Sequence, residues 1–282
     1  MRYNKIITFA DLLLESFKSL VDVIFNTDFL NRFKIKINNE QIIVIGNGSS
    51  LKEHIGNNSI DLKKSSKMVL NFFPLSEWFF SLKPNYYILV DNAAVNYHSH
   101  HLITIIDKMN NLFLTLKKVD WPMNIFISNF HKNSDFEKSI ISLQNKNLNI
   151  LYFNSSYAGG FWFYKRFLLL KGWGLPSTRN VSIVAIAISI LLRYKKIILI
   201  GFNHDWMNSL TVNEDNKIHI NEIHFSNKNE GNIINWKTSM AKLTFGWHKI
   251  FSSHEDLNKL SNSLNINIVN KTKSSLIDAY KK

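Results

Sequence analysis

Apolar and polar positions along the chain follow two different periods. Residues 5–34, KIITFADLLLESFKSLVDVIFNTDFLNRFK, carry Phe9, Leu12, Leu13, Phe17, Leu20, Val21, Ile24 and Phe25 at helical spacing, with lysines and acids on the other face. The stretch predicts an amphipathic helix, either packed on the rest of the chain or lying in a membrane interface. From residue 41 the pattern changes. Short runs rich in Ile, Val, Tyr and Phe predict strands at 41–46, 67–72, 86–91, 123–128, 149–153, 196–201 and 266–270. Several are continuously apolar, as strands buried on both faces are. Helical patterns lie between many of them, notably at 100–118, 135–144, 180–194 and 235–264. Strand–helix alternation over this length predicts an α/β fold, a doubly wound, mostly parallel Rossmann-like sheet with helices on both faces. With no repeat, low-complexity tract or flexible linker, we divide the chain into an N-terminal helical segment, 1–40, and one Rossmann-like domain, 41–282.

Composition narrows this picture. Cysteine is absent, which excludes a disulfide scaffold, a thiolate metal site and a Cys nucleophile, and fits a reducing cytoplasm. No apolar run reaches the roughly 18–20 residues of a membrane span, and the N-terminus lacks the layout of a signal peptide. The expected location is therefore cytoplasmic, peripheral at the inner face of a membrane. The formal charge of +13 calls for an anionic partner. Its lysines are scattered rather than gathered in a stripe with interleaved aromatics, so a nucleotide ligand or an anionic membrane is expected and nucleic acid is not.

In sheets of this kind, ligands bind beyond the carboxyl ends of the strands. The residues there are 46–50, 71–73, 91–92, 129, 154–160 and 201–206, a set with many asparagines and few acids. Gly46 and Gly48 allow close backbone approach, and Ser49 or Ser50 can cap a following helix, so the turn in IIVIGNGSSLK suits a phosphate. It is neither the dinucleotide G-x-G-x-x-G motif nor a Walker loop. Asn71 and Asn92 offer both donors and acceptors to a base or a sugar. In LPSTRNVSIVAIAISILL, Ser177, Thr178 and Asn180 are candidate caps and Arg179 a phosphate or carboxylate partner. The segment after Gly201 gathers His204, Asp205, Glu222 and His224, where a histidine beside an acid can act as general base. The spacing of His204, Asp205, His219 and His224 matches no metal motif, and no metal is expected. NYHSHH at 96–101 reads as a helix start at the surface. No Asp-x-Asp or Gly-x-Ser-x-Gly motif is present.

Together these features resemble the bacterial lipooligosaccharide sialyltransferases and proteins related to them. Those enzymes open with a strand followed by G-N-G-x-S-L-K, which Gly46-Asn47-Gly48-Ser49-Ser50-Leu51-Lys52 matches. Asn71 in VLNFF, Asn92 in LVDN and the block STRNVSIVAIAISILLRYKKIILIGF are similar to later family features, so the likeness spans roughly 41–206. The resemblance implies a metal-independent glycosyltransferase that moves a CMP-activated acidic sugar (sialic acid, another nonulosonic acid or Kdo) to a hydroxyl of a bacterial surface glycan. It implies contacts to the donor from Gly46, Asn47, Gly48, Ser50, Asn71 and Asn92, and from Asn180 or Ser182 at the helix entry, to which we add Ser49, Arg179, Gly201 and Asn203. The family's leaving-group tyrosines have no direct match in Gly201-Phe202-Asn203-His204-Asp205-Trp206. His224, His248 and His254 compete for the position of its base.

We take His224 as first candidate for the base, oriented by Glu222 or Asp205, with His204 second. The expected partners are a nucleotide-sugar donor, a glycan or glycolipid acceptor and an anionic membrane; no cofactor is expected, and a homo-oligomer stays open. MptE-like pterin diphosphokinases share much of this sheet, but they require carboxylates for magnesium, and these strand ends carry few. A nucleotide-binding scaffold without turnover is the non-enzyme alternative.

Overall fold

The computed structural model describes residues 2–31, 37, 39–52, 64–100, 103–222, 232–236 and 238–282. Its elements in chain order begin with helix α1 (Arg2–Asn26) and strands β1 (Gln41–Ile45) and β2 (Ser66–Leu70). Then follow α2 (Phe79–Leu82), β3 (Tyr86–Ile88), α3 (Asn92–Val95), α4 (Tyr97–His100), α5 (Ile103–Lys117), β4 (Met123–Ser128) and α6 (Asp135–Ser142). Next come β5 (Leu148–Phe153), α7 (Trp162–Lys171), α8 (Val181–Leu191) and β6 (Lys196–Ile200). The chain closes with β7 (Leu210–Val212), β8 (Ile218–Glu222), β9 (Asn232–Trp236), α9 (Met240–Ser263) and β10 (Asn267–Asn270).

Seven strands form one parallel sheet in the order β10-β6-β1-β2-β3-β4-β5. The fold is α/β and Rossmann-like, as the alternation of periods predicts. The strands carry buried residues on both faces. Ile42, Val44, Ile197 and Leu199 enter one core with α8, while Ile43, Ile45, Ile198 and Ile200 enter the other with α5 and α6. The chain steps outward from β1 to β5, then crosses back to lay β6 on the free side of β1. The reversal of direction between β1 and β6 opens a crevice at their carboxyl ends.

Three further strands, β7 to β9, form a small antiparallel sheet where the sequence pattern predicts a polar loop and the start of the last helix. The expected helix at 235–264 begins at Met240 instead, where Ser239 Oγ accepts from Lys242 N. Helix α7 has no counterpart among the expected elements, because WFYKRFLLLK is apolar around most of its circumference and has little helical periodicity.

Helix α1 packs by the face opposite its apolar stripe. Ser19 Oγ donates to the Tyr157 carbonyl at 2.7 Å, Ser16 Oγ accepts from Phe161 N at 3.0 Å, and Asp22 accepts from Tyr157 N. Gly160, at φ +89°, lets the helix approach so closely that a Cβ there would lie 2.0 Å from Ser16 Oγ. Of the predicted apolar positions only Leu12 is half-buried; Phe9, Leu13, Phe17, Leu20, Val21, Ile24 and Phe25 are exposed. Among the described residues, no helix is long and apolar enough to cross a membrane.

Candidate functional site

The crevice between β1 and β6 holds a cavity of about 310 Å³. Its floor depends on two glycine turns in contact. Gly46 N donates to Ile200 O at 2.8 Å and Gly48 N to Gly201 O at 2.9 Å. A Cβ on Gly46 would lie 2.5 Å from Gly201 O, and one on Gly201, at φ +72°, would lie 2.7 Å from Gly46 O. Side chains are therefore excluded here by backbone on both sides. The lining comprises Gly46, Asn47, Gly48, Ser49, Asn71, Asn180, Gly201, Asn203, His204 and Asp205 of the expected residues. Leu70, Val181, Phe202, Trp206, Asn208 and Ser209 complete it.

Several lining groups have no protein partner among the described residues. The side-chain oxygens of Asn47 and Asn71 are buried without a hydrogen bond. Leaving a buried acceptor unpaired costs about 1–3 kcal/mol, so a pair of them beside a cavity marks where a ligand's donors belong. The N–H groups of Asn47 and Ser49 also have no hydrogen bond among the described residues. Asn180 caps α8 by accepting from Ser182 N at 2.9 Å, and this helix starts at the cavity wall with the positive end of its dipole. Asn71 (φ 49°) and His204 (φ 52°) both hold left-handed backbone, a strained state that persists where the surroundings fix a side chain's aim.

His204 belongs to a buried polar chain. Its Nε2 lies 3.3 Å from Ser182 Oγ, which lies 3.3 Å from His254 Nε2; His254 Nδ1 meets the Tyr280 hydroxyl at 3.0 Å. Two directions of donation satisfy this chain. If Tyr280 donates first, the protons run toward His204 Nε2 and leave Nδ1 protonated. If His204 Nε2 donates first, they run through Ser182 and His254 to Tyr280 and leave Nδ1 as a free base. Trp206 packs on His204 with ring centroids 4.5 Å apart. Burial holds the His204 imidazole well below its ordinary pKa, with His254 adding to the effect, and burial alone lowers His254 to about 3.

Both histidines thus stay neutral in the fold, whereas the unfolded chain protonates them near pH 6.5. Below that pH the unfolded state binds more protons, so stability falls as pH falls. The expected slope is on the order of 1.4 kcal/mol per pH unit for each histidine, continuing for His254 to about pH 3. Urea unfolding of the wild type and His254→Gln at several pH values checks this. The wild type's advantage should shrink as pH drops from 7 toward 5, and a constant gap would contradict it.

The remaining expected residues lie elsewhere. Ser50 Oγ donates to Asn203 Oδ1 at 2.8 Å and Asn203 Nδ2 to Ser274 Oγ at 2.9 Å, so Ser50 braces the turn from beneath. Ser182 is buried in the histidine chain. Asn92 is exposed at the start of α3, where it accepts from Asn96 Nδ2 at 3.0 Å. Arg179 lines a neighbouring cleft of about 270 Å³ with Glu15, Tyr157 and Lys249. Glu222 is the last residue of β8, its backbone paired with Asn232; His224 lies outside the described residues. Among the described residues no three His, Asp or Glu side chains converge on a point. His219, weighed as a metal ligand, sits on β8 and not in the cavity lining.

Compared with known proteins, the chain matches no family model and no curated sequence. The functional reading therefore rests on the cavity and on the motif it contains.

Proposed function

We propose that the β1/β6 cavity binds the nucleotide of a CMP-activated acidic sugar and that the protein transfers this sugar to a hydroxyl of a glycan. The observation that carries the nucleotide reading is the pair of side-chain amide oxygens on Asn47 and Asn71 that have no hydrogen bond, beside N–H groups with none among the described residues, at a sheet's switch point. Ribose hydroxyls and an exocyclic amine supply donors for the first, and a phosphate supplies acceptors for the second. The described lining holds one carboxylate, Asp205, and neither Lys nor Arg. That charge pattern suits a ligand with a single phosphate better than a polyphosphate. The choice of cytidine and of an acidic sugar rests on the resemblance of Gly46-Asn47-Gly48-Ser49-Ser50-Leu51-Lys52 to the sialyltransferase motif.

In this reading the acceptor oxygen attacks the anomeric carbon as the bond to the CMP oxygen breaks. His204 Nδ1 takes the acceptor's proton, and its Nε2–H then donates to Ser182. His204, second choice as base on the sequence alone, is the histidine within the described lining. The leaving phosphate keeps both bonding electrons and is met by the N–H groups of Asn47 and Ser49 and by the positive end of α8. Asp205 offsets the positive charge that develops at the anomeric carbon. A carboxyl-bearing sugar also brings negative charge next to His204, which raises its low pKa toward a useful value during binding.

Incubation with CMP-sialic acid or CMP-Kdo, a galactose-terminated acceptor and EDTA tests the proposal: CMP release that depends on the acceptor is expected. No release from either donor, or turnover that requires magnesium and ATP, would contradict it. Asn47→Ala separates binding from folding. It removes one orphaned oxygen and a 3.3 Å bond from Asn47 Nδ2 to Leu70 O, so the ligand-free stability should change by less than about 1 kcal/mol. The stabilisation that the wild type gains from CMP at one hundred times its Kd, roughly 2.7 kcal/mol, should largely vanish at the same CMP concentration. Thermal shifts with and without CMP measure both.

A further inference from the structure

Helix α1 turns its apolar stripe outward, and the stripe continues onto α7. Phe17 is 63%, Phe25 79%, Leu30 92% and Phe163 74% exposed, and Phe9 packs at a tilt against Phe161 with a centroid distance of 5.4 Å. Soluble surfaces seldom leave so many large apolar side chains contiguous and bare. The orientation is fixed by the polar face: Glu15, Ser16, Ser19 and Asp22 all bond to the segment around Tyr157 and Phe161. Burial works against the Glu15 charge, but the Tyr157 hydroxyl, Lys249 and Lys18 outweigh it and hold the carboxyl below its usual pKa. An interior-facing carboxylate with an outward-facing phenylalanine row inverts the usual arrangement of a surface helix.

We propose that this face of α1 and α7 docks the protein on an anionic lipid bilayer, with α1 lying along the interface. Charge decides the occupant. Three acids of α1 and its following turn are engaged on the protein side, Glu15 by the Tyr157 hydroxyl at 2.7 Å, Asp22 by Tyr157 N and Asp28 by Lys132 at 3.2 Å, while Asp11 is exposed. Lys18 and Lys171 stand exposed at the edges of the face, on a chain of net charge +13. A second copy would bring two strongly cationic chains together, whereas an anionic leaflet attracts them by about 1 kcal/mol for each cation near its surface. Phenylalanine and leucine on one side with lysine at the margin is the composition of helices that lie in the headgroup boundary. The same helix supplies Glu15 to the Arg179–Lys249 cleft. A bilayer at the outer face would therefore lie about one helix diameter, roughly 10–12 Å, from that cleft.

Co-sedimentation of the full chain with phosphatidylglycerol-containing vesicles, and with neutral phosphatidylcholine vesicles, reads the proposal directly. Anionic vesicles should bind at least about tenfold more tightly, and raised salt should weaken the binding. The triple substitution Phe17→Ser, Phe25→Ser and Phe163→Ser should weaken it by more than about a hundredfold, given the transfer energy of three phenyl groups. Its melting temperature should match the wild type's, because the three side chains are already in solvent. Failure of the wild type to bind anionic vesicles would overturn the proposal, as would binding by the triple variant at wild-type strength. A wild-type dimer that ignores vesicles and becomes monomeric in the triple variant would assign the face to a second copy instead. None of these readouts requires nucleotide or turnover, so the membrane surface and the cavity stand or fall separately.

Discussion

His204→Asn should slow glycosyl transfer by about 10²–10⁴-fold, the usual worth of a positioned general base, while CMP affinity changes by only a few fold. Asparagine suits the test because it tolerates the left-handed backbone that His204 holds at φ 52°. It cannot accept a proton near neutral pH. The chain behind the imidazole should matter through the imidazole. Ser182 Oγ, 3.3 Å from His204 Nε2, receives the Nε2–H once Nδ1 is protonated. Ser182→Ala should therefore lower turnover by about tenfold, the loss of one bond worth roughly 1.4 kcal/mol in the transition state. The acid limb of its rate profile should also move to lower pH, since the imidazolium loses an acceptor. Steady-state kinetics over pH, with CMP binding measured alongside, separates this positioning role from a structural one. A fall in CMP affinity as large as the fall in turnover would count against His204 as base.

The second large effect is expected at the glycine contact. A Cβ on Gly48 would lie 2.1 Å from Asn203 Oδ1 and 2.7 Å from Gly201 O. Asn203 cannot swing away freely, because its amide is tied to Ser50 at 2.8 Å and to Ser274 at 2.9 Å. Gly48→Ala should thus push the β1 and β6 turns apart, costing about 1–3 kcal/mol of stability and more than about a hundredfold in CMP affinity. Gly246 is the internal control. It lies in α9, where an added methyl group would meet nothing within 4 Å, and Gly246→Ala should raise stability by about 0.5–1 kcal/mol with no change in affinity. Urea midpoints and calorimetric titration of the two variants make the comparison. Equal effects of the two substitutions would remove the argument for the glycine contact.

How much of this the sequence discloses depends on the range of the signal. The seven parallel strands are legible because runs such as Ile42-Ile43-Val44-Ile45 and Ile197-Ile198-Leu199-Ile200 are buried on both faces and read as unbroken apolar stretches. Strands β7 and β8 are only three and five residues long, and in Leu210-Thr211-Val212 the last two are both exposed, so no alternation marks β7 and both strands look like loop until they are paired. Periodicity marks a stripe on α1 but not what covers it, which is why the outward turn of Phe17 and Phe25 is not legible. The cavity residues Gly46, Asn47, Asn71, Gly201 and Asn203 are legible because the sheet's switch point sends the strand ends there. Ser50 and Ser182 sit at the expected places in the chain, yet their hydroxyls are spent on Asn203 and on the two histidines. The histidine chain itself leaves no local trace. His204, His254 and Tyr280 meet only because the segment after β6, α9 and the segment after β10 pack together, and no spacing along the sequence encodes that.

On our proposal the β1/β6 cavity is a cytidine monophosphate site, completed by the side-chain oxygens of Asn47 and Asn71. Calorimetric titration of CMP into the wild type and into Asn71→Gly, without metal, tests it most directly, since glycine keeps the backbone at φ 49° and removes only the side chain. We expect one CMP per chain in the wild type and binding about ten- to a hundredfold weaker in Asn71→Gly, the cost of one well-made buried hydrogen bond. Absence of CMP binding by the wild type, or equal affinity in the two proteins, would contradict the account.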